Sequence, residues 1–350
     1  VTILYLLLIF IFGFLIYLYF YTQSVKIQEI EVKSNSEYTR SFSGNNKGSN
    51  FTILHLSDFH FTREGILEDK LKMKIAELNY DLVALTGDYL EDSGKMADFF
   101  RYLDSLNFTA PVVAVAGNHD YNNNFNDLKL RFERRGIKFL HNESIIYYHN
   151  SSKINLIGVG SPNRARDDLE TALQRRRPDR ESFAKFESQR VSFADVKSNQ
   201  AEKDIDTYND YIKTENSNID IENENKETEY DNNYNKSENG ENKSKNEEES
   251  INIILSHTHE IVNSLDDESD SCSSSGVDLI LTGDTHGGQI NIPFISRFII
   301  PLAFNRDSNF IAGKYNHGNT VIYINRGLGT TILPFRFNSR PEITLVRLKH

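Results

Sequence analysis

The 350-residue sequence predicts an α/β protein behind an apolar N-terminal helix. Three observations predict it. From Phe51 onward, short apolar runs alternate with stretches of helical apolar spacing, the pattern of a parallel sheet covered on both faces. Five of those apolar runs end in clusters of Asp, His, Asn and Gly. Ahead of them, Val1 to Tyr21 carries no charged residue.

In chain order, Val1–Tyr21 comes first. About 20 helical residues cross a hydrocarbon core of roughly 30 Å. Tyr17, Tyr19 and Tyr21 fall near its end, where an aromatic belt would lie. A cleaved signal would have a shorter apolar stretch, a basic start and a small-residue cleavage site. Residues 1–21 are therefore expected to be a single-pass transmembrane anchor to the cell membrane. Lys26 and Lys33 follow the span, but Glu29 and Glu31 stand among them, so orientation is weakly marked. The single cysteine, Cys272, fits a cytoplasmic catalytic domain and excludes both a disulfide framework within the chain and a thiolate metal cluster.

Residues 22–50 read as a polar linker, rich in Ser, Asn and Gly from Ser34 on. The folded domain is expected over 51–350. It opens on a buried strand at Phe51–Ser57, then a helix at Ile66–Leu78 with apolar residues at 66, 67, 71, 75 and 78. A strand at Asp81–Leu85, a helix at Met96–Leu106, a strand at Pro111–Ala116 and a helix at Asn126–Arg135 continue the alternation. Further strands are expected at Ile137–Leu140, Ile145–Tyr148, Ile154–Val159, Ile251–Ser256, Val277–Thr282, Thr320–Asn325 and Glu342–Leu348.

Residues 199–250 interrupt this domain. They hold sixteen acidic against six basic residues and few large apolar ones, and are expected to be a disordered acidic insertion. The chain's net charge of −11 and apolar fraction of 38% both trace largely to this segment. With about −4 more at Asp266–Asp270, the remainder is left near +3. Such a balance offers no basic face for tracking nucleic acid, which is not expected as a partner.

The chemistry sits where strands should end. Asp58-Phe59-His60 follows the first run, Gly87-Asp88 the second and Gly117-Asn118-His119-Asp120 the third; His257 and Gly283-Asp284-Thr285-His286 follow later ones. Each motif alone is a common polar turn. Together they deliver carboxylate, imidazole and amide oxygen to one sheet edge, where ligands of open α/β sheets bind. Those donors suit hard or borderline divalent metals.

This ordered set resembles the calcineurin-like metallophosphoesterases over Phe51 to about Leu348, the acidic insertion excepted. The tail, with Asn325-Arg326-Gly327-Leu328-Gly329, Pro334-Phe335-Arg336 and Pro341-Glu342-Ile343, looks like a membrane-anchored bacterial branch similar to the UDP-2,3-diacylglucosamine pyrophosphohydrolases of lipid A synthesis. The resemblance implies a four-layer α/β/β/α sandwich and two divalent metal ions, Mn²⁺ first, with Mg²⁺, Fe or Zn²⁺ as other choices. By motif position, Asp58, His60, Asp88 and His286 would hold one metal. Asp88 would bridge to the second, completed by Asn118, His257 and Asp284. Two such cations about 3.5–4 Å apart would clamp a phosphoryl group and activate a water. His119 would protonate the leaving oxygen, with Asp120 orienting its ring.

Asp284 stands where the family has His, adding a charge and favouring harder metals. His259 stands where the family usually has Pro, and is expected to be solvent-exposed at the site's edge. His55, inside a strand, is expected to be packed. Arg164 and Arg166 are candidates for gripping substrate phosphate, since guanidinium offers a planar fork of donors. The apolar stretch Pro293–Phe304 fits either a buried loop or a wall for acyl chains. The expected activity is hydrolysis of a phosphodiester or pyrophosphate in an amphiphilic substrate. The alternatives are a catalytically weakened metal-binding scaffold and a phosphodiesterase acting on nucleotides.

Overall fold

The computed structural model describes residues 2–33, 51–63, 65–149, 152–161, 168–175, 250–265, 276–292 and 310–349. Residues 34–50 of the expected linker, the acidic insertion up to residue 249, Arg164, Arg166, Cys272, Asp266–Asp270 and Pro293–Phe304 lie outside them. Val1–Gln189 and Glu249–His350 form one compact unit, and 190–248 fall outside it.

The helices are α1 (Thr2–Thr22), α2 (Ile66–Ala76), α3 (Met96–Ser105), α4 (Phe125–Arg134) and α5 (Leu169–Gln174). The strands are β1 (Lys26–Lys33), β2 (Phe51–Leu56), β3 (Leu82–Thr86), β4 (Val112–Val115), β5 (Lys138–Phe139), β6 (Glu143–His149), β7 (Ser152–Gly158), β8 (Ile251–Leu255), β9 (Val277–Thr282), β10 (Gly313–His317), β11 (Thr320–Ile324) and β12 (Glu342–Lys349). They form two six-stranded sheets, ordered β1-β12-β2-β3-β4-β5 and β10-β11-β9-β8-β7-β6. One doubly covered parallel sheet is thus replaced by two mixed sheets, as the family resemblance implied. Strands β2 to β5 run parallel in the first sheet, and β7, β8, β9 and β11 in the second.

Three apolar clusters define four layers. Ile53, Ala84, Val113 and Val346 of the first sheet meet Leu156, Ile253, Leu279 and Leu281 of the second in a core between the sheets. The outer face of the first sheet, through Leu54, Val83, Leu85 and Ala114, packs on α2, α3 and α4. The outer face of the second, through Ile157, Ile254 and Ile280, packs on Leu169 and Ala172 of α5. Central strands are buried on both faces, which is why β3 and β4 read as apolar runs, broken only by Thr86 at the end of β3, and why β2 buries even Thr52 and His55. Helix α5 is capped by Asp168, whose carboxylate accepts the Thr171 N–H at 2.8 Å.

Two strands depart from the sequence reading. The linker expected over 22–50 contains β1, which pairs in parallel with β12 from Lys26↔Glu342 to Lys33↔Lys349. Its inward Ile30 and Val32 alternate with charged residues, as an edge strand requires, and the charges disguised it. Strand β10 has an alternating, largely polar sequence and forms only as the antiparallel partner of β11.

Helix α1 is exposed along most of its length, but its last turns dock on the domain. Leu18 and Thr22 are buried, and the Phe14 and Phe337 rings lie 6.2 Å apart. Thr22 Oγ1 donates to the Leu18 carbonyl and accepts the N–H of Arg336, each at 2.8 Å.

Candidate metal centre

The parallel strands bring the carboxyl ends of β2, β3 and β4 to one edge of their sheet, and β8 and β9 do the same in theirs. From these five ends come Asp58 and His60, Asp88, Asn118 and His119, His257, and Asp284 and His286. The chain turns sharply after β2, β3 and β9. Asp58, His60, Asp88, Asp284 and His286 have φ of 51°, 41°, 55°, 71° and 52°. A non-glycine residue in that region costs on the order of 1–3 kcal/mol, and such strain concentrates at functional sites. Neighbouring glycines make room: a Cβ on Gly117 would lie 2.1 Å from Asp88 Oδ1, and one on Gly283 would lie 2.2 Å from Asp58 Oδ2.

The side chains converge from both sheets. His60 Nε2 lies 3.4 Å from Asp88 Oδ2, and His286 Nε2 lies 3.6 Å from Asp58 Oδ1. The two imidazole nitrogens of His60 and His286 are 3.1 Å apart. His257 Nε2 faces three carboxylates, Asp88 at 3.2 Å, Asp284 at 3.5 Å and Asp58 at 4.0 Å. Its Nδ1 lies 2.7 Å from the Thr86 carbonyl, which can only accept, so that nitrogen carries hydrogen and Nε2 is turned to the carboxylates. The Asp284 N–H donates to both oxygens of Asp58 at 3.0 Å, and the His119 N–H to Asp88 Oδ1 at 2.9 Å.

The electrostatics call for cations. Burial and the neighbouring Asp88 raise the Asp58 carboxyl above its usual range, against the pull of His257 and His60. Burial alone would lower His257, but Asp88, Asp284 and Asp58 outweigh it and hold the imidazole well above its ordinary value. His60 is raised in the same way, by Glu91, Asp88 and Asp58 against burial. Within the chain, the buried carboxylates of Asp58, Asp88 and Asp284 are faced mainly by the imidazoles of His60 and His257. Asn118 Oδ1 is buried without a hydrogen-bond partner. Three overlapping groups, Asp58–His60–His286, His60–Asp88–His119 and Asp58–Asp88–His257, each place their ligand atoms within 4.8 Å of one another. This donor set fits divalent metal.

His119 sits at the rim with its side chain 37% exposed, and its Nδ1 is 3.8 Å from Glu91 Oε2. Asp120, expected to orient that ring, does something else. It is fully buried, and its carboxylate accepts the N–H groups of Asp88, Tyr89 and Gly117 at 2.8, 2.9 and 2.7 Å. It therefore clamps the loops after β3 and β4 to each other. Burial and Asp88 push its carboxyl up to about 7, against those donors. The carboxylate that faces the His119 ring is Glu91, which also contacts His60 Nδ1 at 2.5 Å. Its place three residues after Asp88 was the available signal.

Arg336, which the sequence marks only as part of the tail, also belongs to the site. Its fully buried guanidinium donates to the carbonyls of Gly329 (2.9 Å), Arg326 (2.9 Å), His286 (3.2 Å) and Ser339 (3.3 Å), and its Nη2 lies 3.1 Å from His286 Nδ1. Burial brings its pKa down to about 10. His55 is packed as expected, 2.9 Å from Thr86 Oγ1, and burial drops its pKa to about 3, so it is neutral. His259 is not the exposed residue expected: its ring stacks on Phe310 at 5.5 Å, because the turn after His257 folds back against the outer face of the second sheet. Arg164 and Arg166 lie outside the described residues.

A buried cluster of this chemistry at the meeting of two sheets fits a divalent-metal centre, and the family match makes it that of a metal-dependent phosphoester hydrolase. The family model for calcineurin-like phosphoesterases matches residues 51–288, and the chain belongs to that family. It is similar to the metallophosphoesterase YkoQ of Bacillus subtilis (strain 168), 26% identical over 298 residues, covering 83% of this chain and 81% of that protein. Shorter matches are to the metallophosphoesterase YkuE of the same organism, 49% identical over 73 residues (21% of this chain, 24% of that protein), and to the phosphodiesterase YaeI of Escherichia coli (strain K12), 39% identical over 71 residues (20% and 25%).

Proposed function

We propose that this protein is a membrane-anchored, two-metal phosphoesterase that hydrolyses a phosphodiester or pyrophosphate bond in an amphiphilic substrate. The observation that carries the proposal is the overlap of the ligand groups, which share the buried Asp58, His60 and Asp88. Asp58, His60, Asp88 and His286 would hold one cation. Asp88, Asn118, His257 and Asp284 would hold the other, and the extra carboxylate of Asp284 favours Mn²⁺ or Mg²⁺ over Zn²⁺. Bound there, the pair supplies the charge that neutralises a phosphoryl group and makes water a nucleophile near neutral pH.

The chain's own residues do the rest. Asp88 fixes the backbone of His119, Glu91 faces its ring, and the half-exposed imidazole stands at the rim ready to give a proton to the leaving oxygen. Asp120 keeps the two loops that carry Asp88 and His119 in register. The exposed apolar α1 supports the anchor, and with it a substrate drawn from a membrane. The diester named for YaeI supports phosphodiester chemistry. A sugar-nucleotide lipid rests on the resemblance of the tail alone.

The test is turnover of a chromogenic phosphodiester by the full chain in detergent with Mn²⁺, alongside metal analysis. Two equivalents of metal and a rate abolished by chelator and restored by Mn²⁺ are expected. His119→Ala should lose about 10²–10⁴-fold in kcat with its metal retained. An inactive wild type, or a fully active His119→Ala, overturns the proposal.

A further inference from the structure

The loop from Gly329 to Arg336 exposes two apolar side chains, Ile332 at 91% and Leu333 at 50%. Ile332 also has a φ of 60°, and the Leu333 N–H donates to the Thr331 carbonyl at 2.5 Å across it. That is the strained form of the γ-turn, and a β-branched residue is a poor occupant of it. The turn is not slack. The Gln289 amide donates to the carbonyls of Thr331 and Leu333 at 2.9 and 2.8 Å and accepts the Thr331 N–H at 2.9 Å. The chain thus fixes Ile332 outward, in an unfavourable backbone conformation, with its side chain in water.

The same loop touches the metal centre and the helix. Gln289 is three residues past His286, and a Cβ on Gly329 would lie 2.8 Å from His60 Cβ. On the other side, the Arg336 N–H is held by Thr22, and Phe337 packs on Phe14. Phe14 is eight residues, about 12 Å, ahead of Thr22. The loop therefore runs beside the last turns of α1, where Leu15, Ile16, Tyr19 and Phe20 remain 42–57% exposed. A bilayer that takes up those side chains has the loop at its own level. Cations ring the end of the helix, with Lys70 Nζ on the Gln23 carbonyl at 2.9 Å and Arg340 over the Tyr21 ring at 5.1 Å, as at a lipid phosphate plane.

We infer that the Thr331–Pro334 tip is a wedge that enters the lipid bilayer beside α1 and holds the mouth of the metal centre at the membrane surface. The inference rests on the anchor reading above. It assigns Ile332 and Leu333 a lipid environment, and it makes the phosphate plane the place from which substrate enters.

The experiment uses the full chain with Cys272→Ser, reconstituted in phosphatidylcholine–phosphatidylglycerol vesicles, carrying an environment-sensitive fluorophore on one introduced cysteine. The sites are Ile332→Cys, Tyr17→Cys on α1 and Tyr148→Cys, exposed at the opposite end of the second sheet. Lipids spin-labelled high in the acyl chain are the quencher. A blue shift and quenching at 332 and 17, with neither at 148, is expected. Quenching at 17 without 332 overturns the wedge and leaves the anchor standing. No quenching at 17 or 332 overturns both. Quenching at 148 as well overturns the wedge, because the whole domain would then lie on the bilayer.

Discussion

Two buried polar regions lie side by side at the strand ends, and they are built on opposite principles. Around Arg336 and Glu342, buried polar groups are matched within the chain. Arg336 meets four carbonyls and His286, while Glu342 accepts from Tyr323, Thr344 and Arg326 at 2.6, 2.9 and 2.5 Å. Around Asp58 and Asp88, carboxylates crowd one another, imidazole nitrogens face each other at 3.1 Å, and Asn118 Oδ1 has no partner. The first region completes itself and acts as scaffold. The second is complete only with added positive charge, and it is where the backbone is strained. Buried polar groups left under-satisfied in a native chain call for an explanation, and here it is metal.

The comparison can be broken most directly at Asp88, which both ligand sets need. Asp88→Asn should abolish phosphodiester turnover and lower bound metal, while its melting temperature stays near that of chelated wild type. Loss of fold instead would show that the metal region is scaffold too.

Arg336→Met tests the other side. It strips donors from at least two buried carbonyls at about 1–3 kcal/mol each, so a loss of about 2 kcal/mol or more is expected, read as a lower denaturation midpoint even with metal present. An unchanged midpoint would refute the scaffold role.

Glu91→Gln sharpens the boundary between the regions. Replacing the carboxylate on His60, a proposed metal ligand, should cost about 10–100-fold in metal affinity or rate, with the midpoint of the metal-free protein little changed. Calorimetric titration with Mn²⁺ reads the affinity directly.

The smallest effect is in pH. His60 and His257 have folded values above the ordinary 6.5, so the folded metal-free protein holds more protons than the unfolded chain as pH rises from there. Their contribution is fully present below about 6.5 and is lost as pH climbs through the folded values. His55 and His286, pushed downward mainly by burial, are neutral in both states above that pH and do not oppose the loss. Chelated protein should therefore lose melting temperature above about pH 6.5 more steeply than metal-loaded protein. Equal slopes would mean that the imidazole protons do not stand in for the metal.

Much of the centre was legible in the residues. The Asp, His and Asn after each apolar run announced themselves because a parallel strand must be apolar to be buried on both faces, and its polar residues begin where it leaves the sheet. Glu91 and Arg336 were not legible as site residues. An acid in a turn and an arginine in a tail look solvated, and only folding shows one on His60 and the other sealed under His286. Asp120 was read as part of the machinery because it adjoins His119. Neighbours in a turn point different ways, and its carboxylate points into the backbone of the preceding loop.

By itself, then, the sequence determined the α/β class, the apolar helix and the set of metal-ligand residue types, since each follows from local periodicity and donor chemistry. Tertiary structure decided that the strands divide between two sheets, that β1 pairs with β12, and that the last turns of α1 lie against the end of a loop that reaches the metal centre. Those facts depend on pairings between residues hundreds of positions apart. Edge strands with charged faces and exposed apolar loops carry little local signal of their partners, because the partner, not the segment, makes their conformation stable.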